Sequence, residues 1–427
     1  MAGALSRGVR SGALAAMIRR TFLVGGVTLG GCATVNTEAA HPGWTATQGG
    51  AGGALLRVTN LHASGVGSLR AAVEASGART IVFDVGGVID LRLEGLRIRE
   101  PYLTIAGETA PYPGVTLIRG GVSVATHNVI MRHIAVRPGT AGQTLGWEPD
   151  GLSTQAARDV IIDHCSFTWA VDENLSVSGP RFEGANPDEW RRGTSHRITF
   201  SNNIIAEALA HATHEKGEHS KGTLIHDNCT DVLLYRNLYA HNVERHPLAK
   251  GGSHCAVVNN VFVNPGRTCA QYTLVEREWE GRTAVVGRMA LIGNVMRGGA
   301  DTAPGVPMLT FGGAGDLELL AEDNLATDAS GEAAQIVGFY QARPDGMPAE
   351  TPGEAGRTAR IIRSSDRDLL PPALTLLPAA RAEAAIYAGC GPNPQRRNAV
   401  DTRIVAQARA GSGRIVDSEN EVGGYPR

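Results

Sequence analysis

Positively charged side chains surround one proline in the segment NVERHPLAKGG, residues 242–252. Arg245 and Lys250 flank Pro247, and two glycines follow. Proline restricts the backbone and glycine permits tight turns, so the segment predicts a rigid corner that holds two cations in place. The formal net charge of −2 gives the chain no basic field for nucleic acid. An anionic ligand would have to be met by a local patch, and this corner is a candidate.

Two short acidic segments are candidates for holding a hard cation. EPDG carries Glu148 and Asp150, and VDEN carries Asp172 and Glu173. Carboxylate oxygens on turns are the ligands that Ca²⁺ prefers in proteins. The alternative for each pair is an ordinary solvated turn.

The residues named above lie near or between the segments of a repeat. Six segments follow one template, which is a short apolar run, then a polar or small residue, then a bulky one. They are VIIDHCSF (160–167), ITFSNNII (198–205), VLLYRNLY (232–239), AVVNNVF (256–262), ALIGNVM (290–296) and LLAEDNLA (319–326). One aligned column, whose members lie roughly 30 residues apart, holds Cys165, Asn203, Asn237, Asn260, Asn294 and Asn324. Asp163 and His164 lie inside the first segment, so we expect a structural polar pair.

Stacked coils explain this repeat. The chain has 54 glycines, 21 prolines and 5% aromatic residues, which is typical of many short strands joined by turns. No convincing amphipathic helix separates successive strands, so a βαβ fold is excluded. We expect one elongated all-β domain, a parallel β-helix in which each column asparagine adopts a left-handed conformation and bonds the asparagine above. The alternative is a β-sandwich, which prefers hairpins and closer strand spacing.

The N-terminus is predicted to be a processing segment. Arg19 and Arg20 precede an apolar run that ends in LGGC, which resembles a twin-arginine export signal followed by a bacterial lipobox at Cys32. The run is too short for a transmembrane helix, so only a lipid would anchor the protein, in the periplasm, at the outer membrane or at the cell surface. The predicted organisation is 1–32 export signal, 33–48 linker, 49–330 β-helix and 331–427 C-terminal loops and tail.

The other five cysteines show no C-x-x-C spacing, and their odd number rules out complete pairing within the chain. We expect them to be buried as small hydrophobic residues. They are Cys165, Cys229, Cys255, Cys269 and Cys390.

Several ordered motifs resemble bacterial pectate lyases of polysaccharide lyase family 1. VIIDHCSF is similar to the V-W-I-D-H motif of that family, and RHPLAK is similar to its R-x-P-x-x-R motif. Further similar segments are VTNLHASGVGSLRAAV (58–73), TIVFDVGGVIDL (80–91) and LTIAGETAPYPGVTL (103–117). The resemblance extends from Gly49 to at least Cys269. It implies a right-handed, single-stranded β-helix with long loops that form a groove. It also implies a monomer that uses Ca²⁺ to cleave a 4-linked polyuronate, such as pectate, by β-elimination.

The resemblance implies roles for individual residues. Arg245 matches the arginine with which the family removes a proton, and Lys250 stands where the family has a second arginine. The family's substrate-binding lysine lies one coil earlier, where HEKGEHSKG (214–222) offers Lys216 and Lys221. The pattern H-x-K-G-x-H favours Lys216, but spacing leaves both open. Because a free guanidinium has a pKa above about 12, Arg245 is expected to act either as the base or as a stabiliser of enolate-like charge.

The resemblance also bears on the calcium ligands. Glu148 and Asp150 occupy the places of an acidic D-x-D pair that precedes the aspartate of V-W-I-D-H, here Asp163. The family has a further aspartate where this chain has Ser176. We therefore expect Glu173 to substitute as a ligand.

More than half of the 13 histidines lie in one stretch: His211, His214, His219, His226, His241, His246 and His254. A zinc hydrolase is an alternative, but HEKGEH is one residue too long for H-E-x-x-H. His219 and His246 adjoin the cationic motifs and are expected near the substrate. Two further alternatives are a glycan-binding lipoprotein and a glycoside hydrolase that uses Asp150 and Asp172.

Overall fold

The computed structural model describes residues 41–339 and 359–426. Three parallel sheets run along Ala40–Arg427, which forms one compact unit. Each coil contributes a strand to sheet 1, then to sheet 2, then to sheet 3, and the next coil repeats the order. This is the predicted all-β, right-handed parallel β-helix. The predicted export signal with Cys32 lies outside the described residues, as do residues 340–358 of the predicted C-terminal loops.

The strands are short, and their order along each sheet follows the chain. Sheet 1 contains Ala54–Val58, Arg79–Phe83, Leu103–Ala106, His127–Arg132, Arg158–Asp163, His196–Ser201, Thr230–Tyr235, His254–Val258, Gly287–Ile292, Leu317–Glu322 and Ile361–Arg363. Sheet 2 contains Gly87–Asp90, Val115–Ile118, Ile134–Arg137, Ser166–Thr168, Ile204–Ala206, Leu238–Ala240, Val261–Val263, Val295–Arg297 and Leu325–Thr327. Sheet 3 contains Leu96–Ile98, Val122–Val124, Leu152–Gln155, Glu173–Ser178, Lys221–Ile225, Leu248–Lys250, Ala270–Leu274, Leu309–Gly313 and Val337–Phe339.

The sequence prediction for the C-terminal residues was incomplete, because two helices lie there. The four α-helices of the described residues are α1 (Leu69–Val73), α2 (Pro187–Gly193), α3 (Ala379–Gly389) and α4 (Ala399–Ala410). The side chain of Asn398 caps α4, and Gly411 ends it with a φ of 63°. Ile386 and Ile404 of these helices pack on sheet 2. The C-terminal residues therefore cover the β-helix, as expected, but as helices as well as loops.

An asparagine ladder joins successive coils between sheets 1 and 2. Its members are Asn203, Asn237, Asn260, Asn294 and Asn324. Each side-chain amide donates to the Oδ1 of the next at 3.0 to 3.1 Å. The expected left-handed conformation falls one residue earlier, for example on Asn202 with a φ of 53° and Asn259 with 52°. The preceding residue therefore makes the turn, and the ladder asparagine points inward to satisfy buried backbone groups.

Asp163 and His164 form the expected polar pair on sheet 1. His164 Nδ1 lies 2.7 Å from Asp163 Oδ2, and the Ser201 hydroxyl donates to Asp163 Oδ1 at 2.6 Å. Burial alone would raise the pKa of Asp163, but these hydrogen bonds and the His164 ring lower it to about 2. The pair ties neighbouring coils together.

The core lies between the three sheets and is filled by apolar side chains. The five cysteines named above are all buried and none forms a disulfide within the described residues, which confirms their prediction as small hydrophobic residues. In the same residues, no helix is long and apolar enough to cross a membrane.

Candidate active site

A charged column lies on sheet 3, and we define it by Asp150, Glu173, Lys221 and Glu244. Glu173 pairs in register with Lys221, and Lys221 forms a parallel bridge with Glu244. Asp150 precedes them by one coil, where its Oδ1 accepts a hydrogen bond from Glu173 N at 3.1 Å. Successive rungs are about 4.8 Å apart, so the stacking of coils brings together residues that are distant in sequence.

Three carboxylates meet at one end of this column. Asp150, Asp172 and Glu173 each place a carboxylate oxygen within 4.8 Å of the others. Burial, followed by the charges of Glu173 and Asp172, raises the pKa of Asp150 well above its usual value. Burial likewise raises the pKa of Glu173 to about 7, although Arg245 opposes the rise. Such a group of oxygens could hold a cation, and its donor set fits Ca²⁺.

Glu148, expected to be a fourth ligand, lies differently. Its Oε1 accepts a hydrogen bond from Glu215 N at 2.6 Å and lies 3.3 Å from His214 Nδ1. It is absent from the group of three carboxylates that the described residues bring together. The structure therefore groups three of the four predicted acids.

Arg245 extends toward the column from the corner before Pro247. Its φ of 68° is left-handed, and its backbone N–H donates to Gln271 Oε1 at 3.0 Å. Nη1 forms an ion pair with Glu173, and Nε lies 3.9 Å from Glu244 Oε1. The side chain is 20% exposed, so it is partly accessible to solvent.

The structure separates the two lysines that the sequence left open. Lys221 is largely buried, with Nζ 2.8 Å from His219 Nε2 and 3.9 Å from Glu244 Oε1. Burial, followed by the charge of Arg245, lowers the pKa of Lys221 to about 8. Lys216, which the sequence pattern favoured, is exposed on the preceding loop. Lys221 is thus the lysine that the fold brings to Arg245.

Two histidines adjoin the acids. His219 Nε2 lies 3.0 Å from Asp172 Oδ1, and its ring stacks on His214 with centroids 3.4 Å apart. Burial alone would raise the pKa of Asp172, but the hydrogen bond and charge of His219 lower it strongly. Burial, followed by the His219 ring, lowers the pKa of His214. The sequence prediction placed His219 near the substrate. The structure shows that it is buried and contacts Asp172 and Lys221.

His246 and Lys250 do not lie where the sequence prediction put them. His246 is fully buried in the core, where its ring contacts Tyr239 with centroids 5.7 Å apart, and burial lowers its pKa to about 4. This placement is inconsistent with contact to a substrate. Lys250 pairs with Glu278, and its Nζ lies 3.7 Å from Asp227 Oδ2, so it is neutralised by acids of its own.

Sequence reasoning missed two residues of the site. Glu244 is buried beside Arg245, and its Oε2 accepts from Arg267 Nη2 at 3.0 Å. Burial would raise the pKa of Glu244, but Arg245, Arg267 and Lys221 lower it to about 2. Its position directly before Arg245 was a usable signal in the sequence. The second missed residue is His214, whose signal was that it opens the segment that carries both lysines.

Comparison with curated proteins finds fungal relatives named probable pectate lyase C. The protein of Aspergillus fumigatus is 31% identical over 380 residues, which cover 88% of this chain and 78% of that protein. The protein of Emericella nidulans is 37% identical over 219 residues, which cover 51% of this chain and 45% of that protein. No family model matches the chain. Because these relatives are fungal, they do not support the narrower resemblance to bacterial enzymes.

Solved structures support the fold. The cedar pollen allergen jun a 1 matches with a TM-score of 0.50 and 15% identity, covering 81% of this chain and 90% of the allergen. A thermostable pectate lyase, PL 47, matches with a TM-score of 0.51 and 15% identity, covering 83% of this chain and 97% of that protein. With the extent of the Aspergillus match, these findings lead to one conclusion. The chain belongs to the pectate lyase family and is a polysaccharide lyase.

Proposed function

We propose that this protein cleaves pectate, or a closely related 4-linked polyuronate, by calcium-assisted β-elimination and releases 4,5-unsaturated uronides. The observation that carries this proposal is the meeting of Arg245 and Lys221 with three carboxylates on sheet 3. The relatives are named pectate lyases, and a solved neighbour is described as a pectate lyase in complex with trigalacturonate.

The reaction explains why cations gather there. Elimination removes the proton on C5 of the uronate, next to its carboxylate, and expels the oxygen on C4. The ionised carboxylate makes that proton poorly acidic, because the developing carbanion would add a second negative charge beside the first. Fixed positive groups stabilise this charge as it develops. Arg245 is proposed to act at C5, and Lys221 to bind the uronate carboxylate.

The proposed calcium ligands are Asp150, Asp172 and Glu173, with Glu148 at the edge of the site. The fit rests on the raised pKa of Asp150 and Glu173, since a bound cation would favour the ionised form of each. When bound, Ca²⁺ would neutralise the carboxylate of the sugar undergoing elimination. Glu173 also pairs with Arg245, so it links the cation site to the residue proposed to act at C5.

Removing the metal tests this proposal. Incubation with pectate should raise the ultraviolet absorbance of the unsaturated product. A chelator should abolish the rise, and added Ca²⁺ should restore it. Reducing ends that appear without any rise in absorbance would instead show hydrolysis, and would contradict the lyase mechanism. Glucuronan and methyl-esterified pectin in parallel assays would define the polymer.

We also propose that the protein is exported and lipidated at Cys32, on the motif that precedes it. Expression in a bacterial host with labelled palmitate should label the wild-type chain and leave Cys32→Ser unlabelled. Equal labelling of the two chains would contradict the lipobox.

A further inference from the structure

A second group of metal-binding atoms lies next to the carboxylates. Asp172, His214 and His219 each place one donor atom within 4.8 Å of the others. Both imidazoles are almost completely buried, with side-chain exposures of 1% and 3%. The two rings stack at an interplanar angle of 17°. The proposed elimination assigns no task to His214.

The buried nitrogen of His214 points to a ligand. His214 Nε2 has no hydrogen-bond partner among the described residues and lies 3.6 Å from Asp172 Oδ1. A buried polar atom without a partner is costly and needs an explanation. His214 Nδ1 accepts a hydrogen bond from Lys216 N at 3.1 Å, so Nε2 carries the proton in the neutral ring. A cation would bind Nε2 after that proton moves to Nδ1, where Glu148 Oε1 at 3.3 Å would accept it.

The contact with Lys221 shows that His219 can present a lone pair. An ammonium group has only hydrogens to offer, so Lys221 Nζ at 2.8 Å donates to His219 Nε2. The same nitrogen lies 3.0 Å from Asp172 Oδ1, to which it donates instead when it carries the proton. Two imidazole nitrogens and a carboxylate oxygen therefore converge, and the Lys221 ammonium is the positive charge among them.

We propose that Asp172, His214 and His219 form a site for a first-row transition ion, distinct from the all-oxygen calcium site with which it shares Asp172. Imidazole suits Zn²⁺, Co²⁺ or Ni²⁺, whereas Ca²⁺ takes oxygen ligands. The distances of 3.0 and 3.6 Å from the two nitrogens to Asp172 Oδ1 bracket the separation of roughly 3.4 Å between ligand atoms of a tetrahedral ion bound at about 2.1 Å.

Binding requires three local changes, the first of which is the move of the His214 proton from Nε2 to Nδ1. Each nitrogen lone pair lies in the plane of its ring, so the stacked rings must splay for both to face one ion. Lys221 must also release His219 Nε2, because the ion and the ammonium would compete for the same lone pair. A transition ion at this site would therefore reposition Lys221 and should inhibit the proposed reaction. The site itself does not depend on that reaction.

Visible spectroscopy of Co²⁺ titrated into chelator-treated, full-length protein tests the site. The wild-type protein should give a d–d absorption band that saturates with one equivalent. His214→Gln and His219→Gln should each weaken Co²⁺ binding by more than the roughly 10–100-fold that loss of an outer-shell partner costs. Both variants should still bind Ca²⁺ in calorimetry. The matched control is His211→Gln, an exposed histidine on the same segment with 65% of its side chain accessible.

Three outcomes would overturn the proposal: no band in the wild-type protein, a band that survives in both histidine variants, or a band lost in Glu173→Gln but kept in His214→Gln. The last would place the ion among the oxygens instead. Thermal unfolding of each variant confirms folding, and two variants at different positions guard against one that fails to fold. The lyase assay with Ca²⁺ stands apart, since its failure would leave the Co²⁺ band unchanged.

Discussion

The asparagine ladder and the charged column are built by the same stacking of coils but differ in what fills them. In the ladder every rung carries the same neutral side chain, and each amide satisfies the next. In the charged column two acids, a lysine and a third acid follow one another, and the pKa of Glu173 rises while that of Lys221 falls. Identical rungs satisfy one another within the protein. The unlike side chains of the charged column do not satisfy one another in this way, and a bound cation or an anionic ligand would complete their charge pairing.

This difference separates the residues that stabilise the fold from the residues that are proposed to carry the chemistry. The ladder is closed, because its donors and acceptors are used between coils and with the buried backbone. The column is not closed in this way, because Arg245, which pairs with Glu173, keeps part of its side chain exposed. Substitutions in the column should therefore change activity and cation binding, and substitutions in the ladder should change stability.

The largest effect is expected from Arg245→Lys. Lysine keeps one charge but lacks the planar fork that reaches Glu173 and Glu244. A misplacement of about 1 Å can cost roughly a hundredfold in rate, so kcat should fall at least that far while substrate binding weakens much less. Steady-state kinetics on pectate, with a separate binding measurement, would give both values.

Arg267→Lys is the matched control, because Arg267 also pairs with Glu244 but is 41% exposed. Its described ion pairs do not include the three grouped carboxylates of Asp150, Asp172 and Glu173. It should stay within a few-fold of wild-type kcat. If Arg245→Lys kept more than about a tenth of wild-type kcat, a loss below ~1.4 kcal/mol, Arg245 would not act at the reacting carbon.

A smaller but sharper contrast is expected between the two lysines. Lys221→Ala removes a largely buried cation beside Arg245 and should lower kcat/KM by about tenfold or more. Lys216→Ala removes an exposed side chain and should be nearly silent. Kinetics of both variants would decide. A large loss in Lys216→Ala with a silent Lys221→Ala would restore the preference of the sequence pattern.

The ladder was predictable from the sequence because one side chain, asparagine, recurs at the same point of five successive coils. The charged column was predictable only in part, since each rung has a different side chain. Local motifs identified Arg245 and the three grouped acids, which are Asp150, Asp172 and Glu173. They did not identify Glu244. The choice of Lys221 depended on the register between Glu173–Ser178 and Lys221–Ile225, which loops of unequal length conceal.

Side-chain direction explains the wrong placement of His246. It adjoins Arg245 in sequence, but Arg245 has a left-handed φ of 68° and the chain turns there, so His246 enters the core while Arg245 stays partly exposed. Lys250 ends the strand Leu248–Lys250 and meets Glu278, which comes from the later 3-10 helix Glu276–Trp279. Partners of that kind cannot be read from a local pattern.

Acid pH should separate the column from the ladder, which has no titratable group. Because the pKa of Glu173 is raised from 4.5 to about 7, its contribution to the free energy of unfolding is present below pH 4.5 and is lost as pH rises through 7. Metal-free protein should therefore lose on the order of 2 to 3 kcal/mol over that interval. Denaturant unfolding at several pH values would measure the decline.

Glu173→Gln should reduce this decline, and added Ca²⁺ should oppose it, because the cation favours the ionised carboxylates. Glu244→Gln is the control. The pKa of Glu244 is lowered to about 2, so its contribution is lost only as pH falls through that value. A decline of equal size in Glu173→Gln and wild type would show that Glu173 is not the group responsible.

The smallest effect, and one confined to stability, is expected in the ladder. Asn237 Oδ1 accepts from Asn203 N at 2.9 Å and from Asn203 Nδ2 at 3.0 Å, and its own amide donates to Phe200 O at 2.9 Å. Asn237→Ala would leave these buried groups without partners and should cost about 2 kcal/mol in the free energy of unfolding. Asn324→Ala, at the half-exposed end, should cost less, because water can reach its partners. Both should keep wild-type kcat. A loss of turnover in folded Asn237→Ala would show that the two columns are coupled and that the ladder also positions the site.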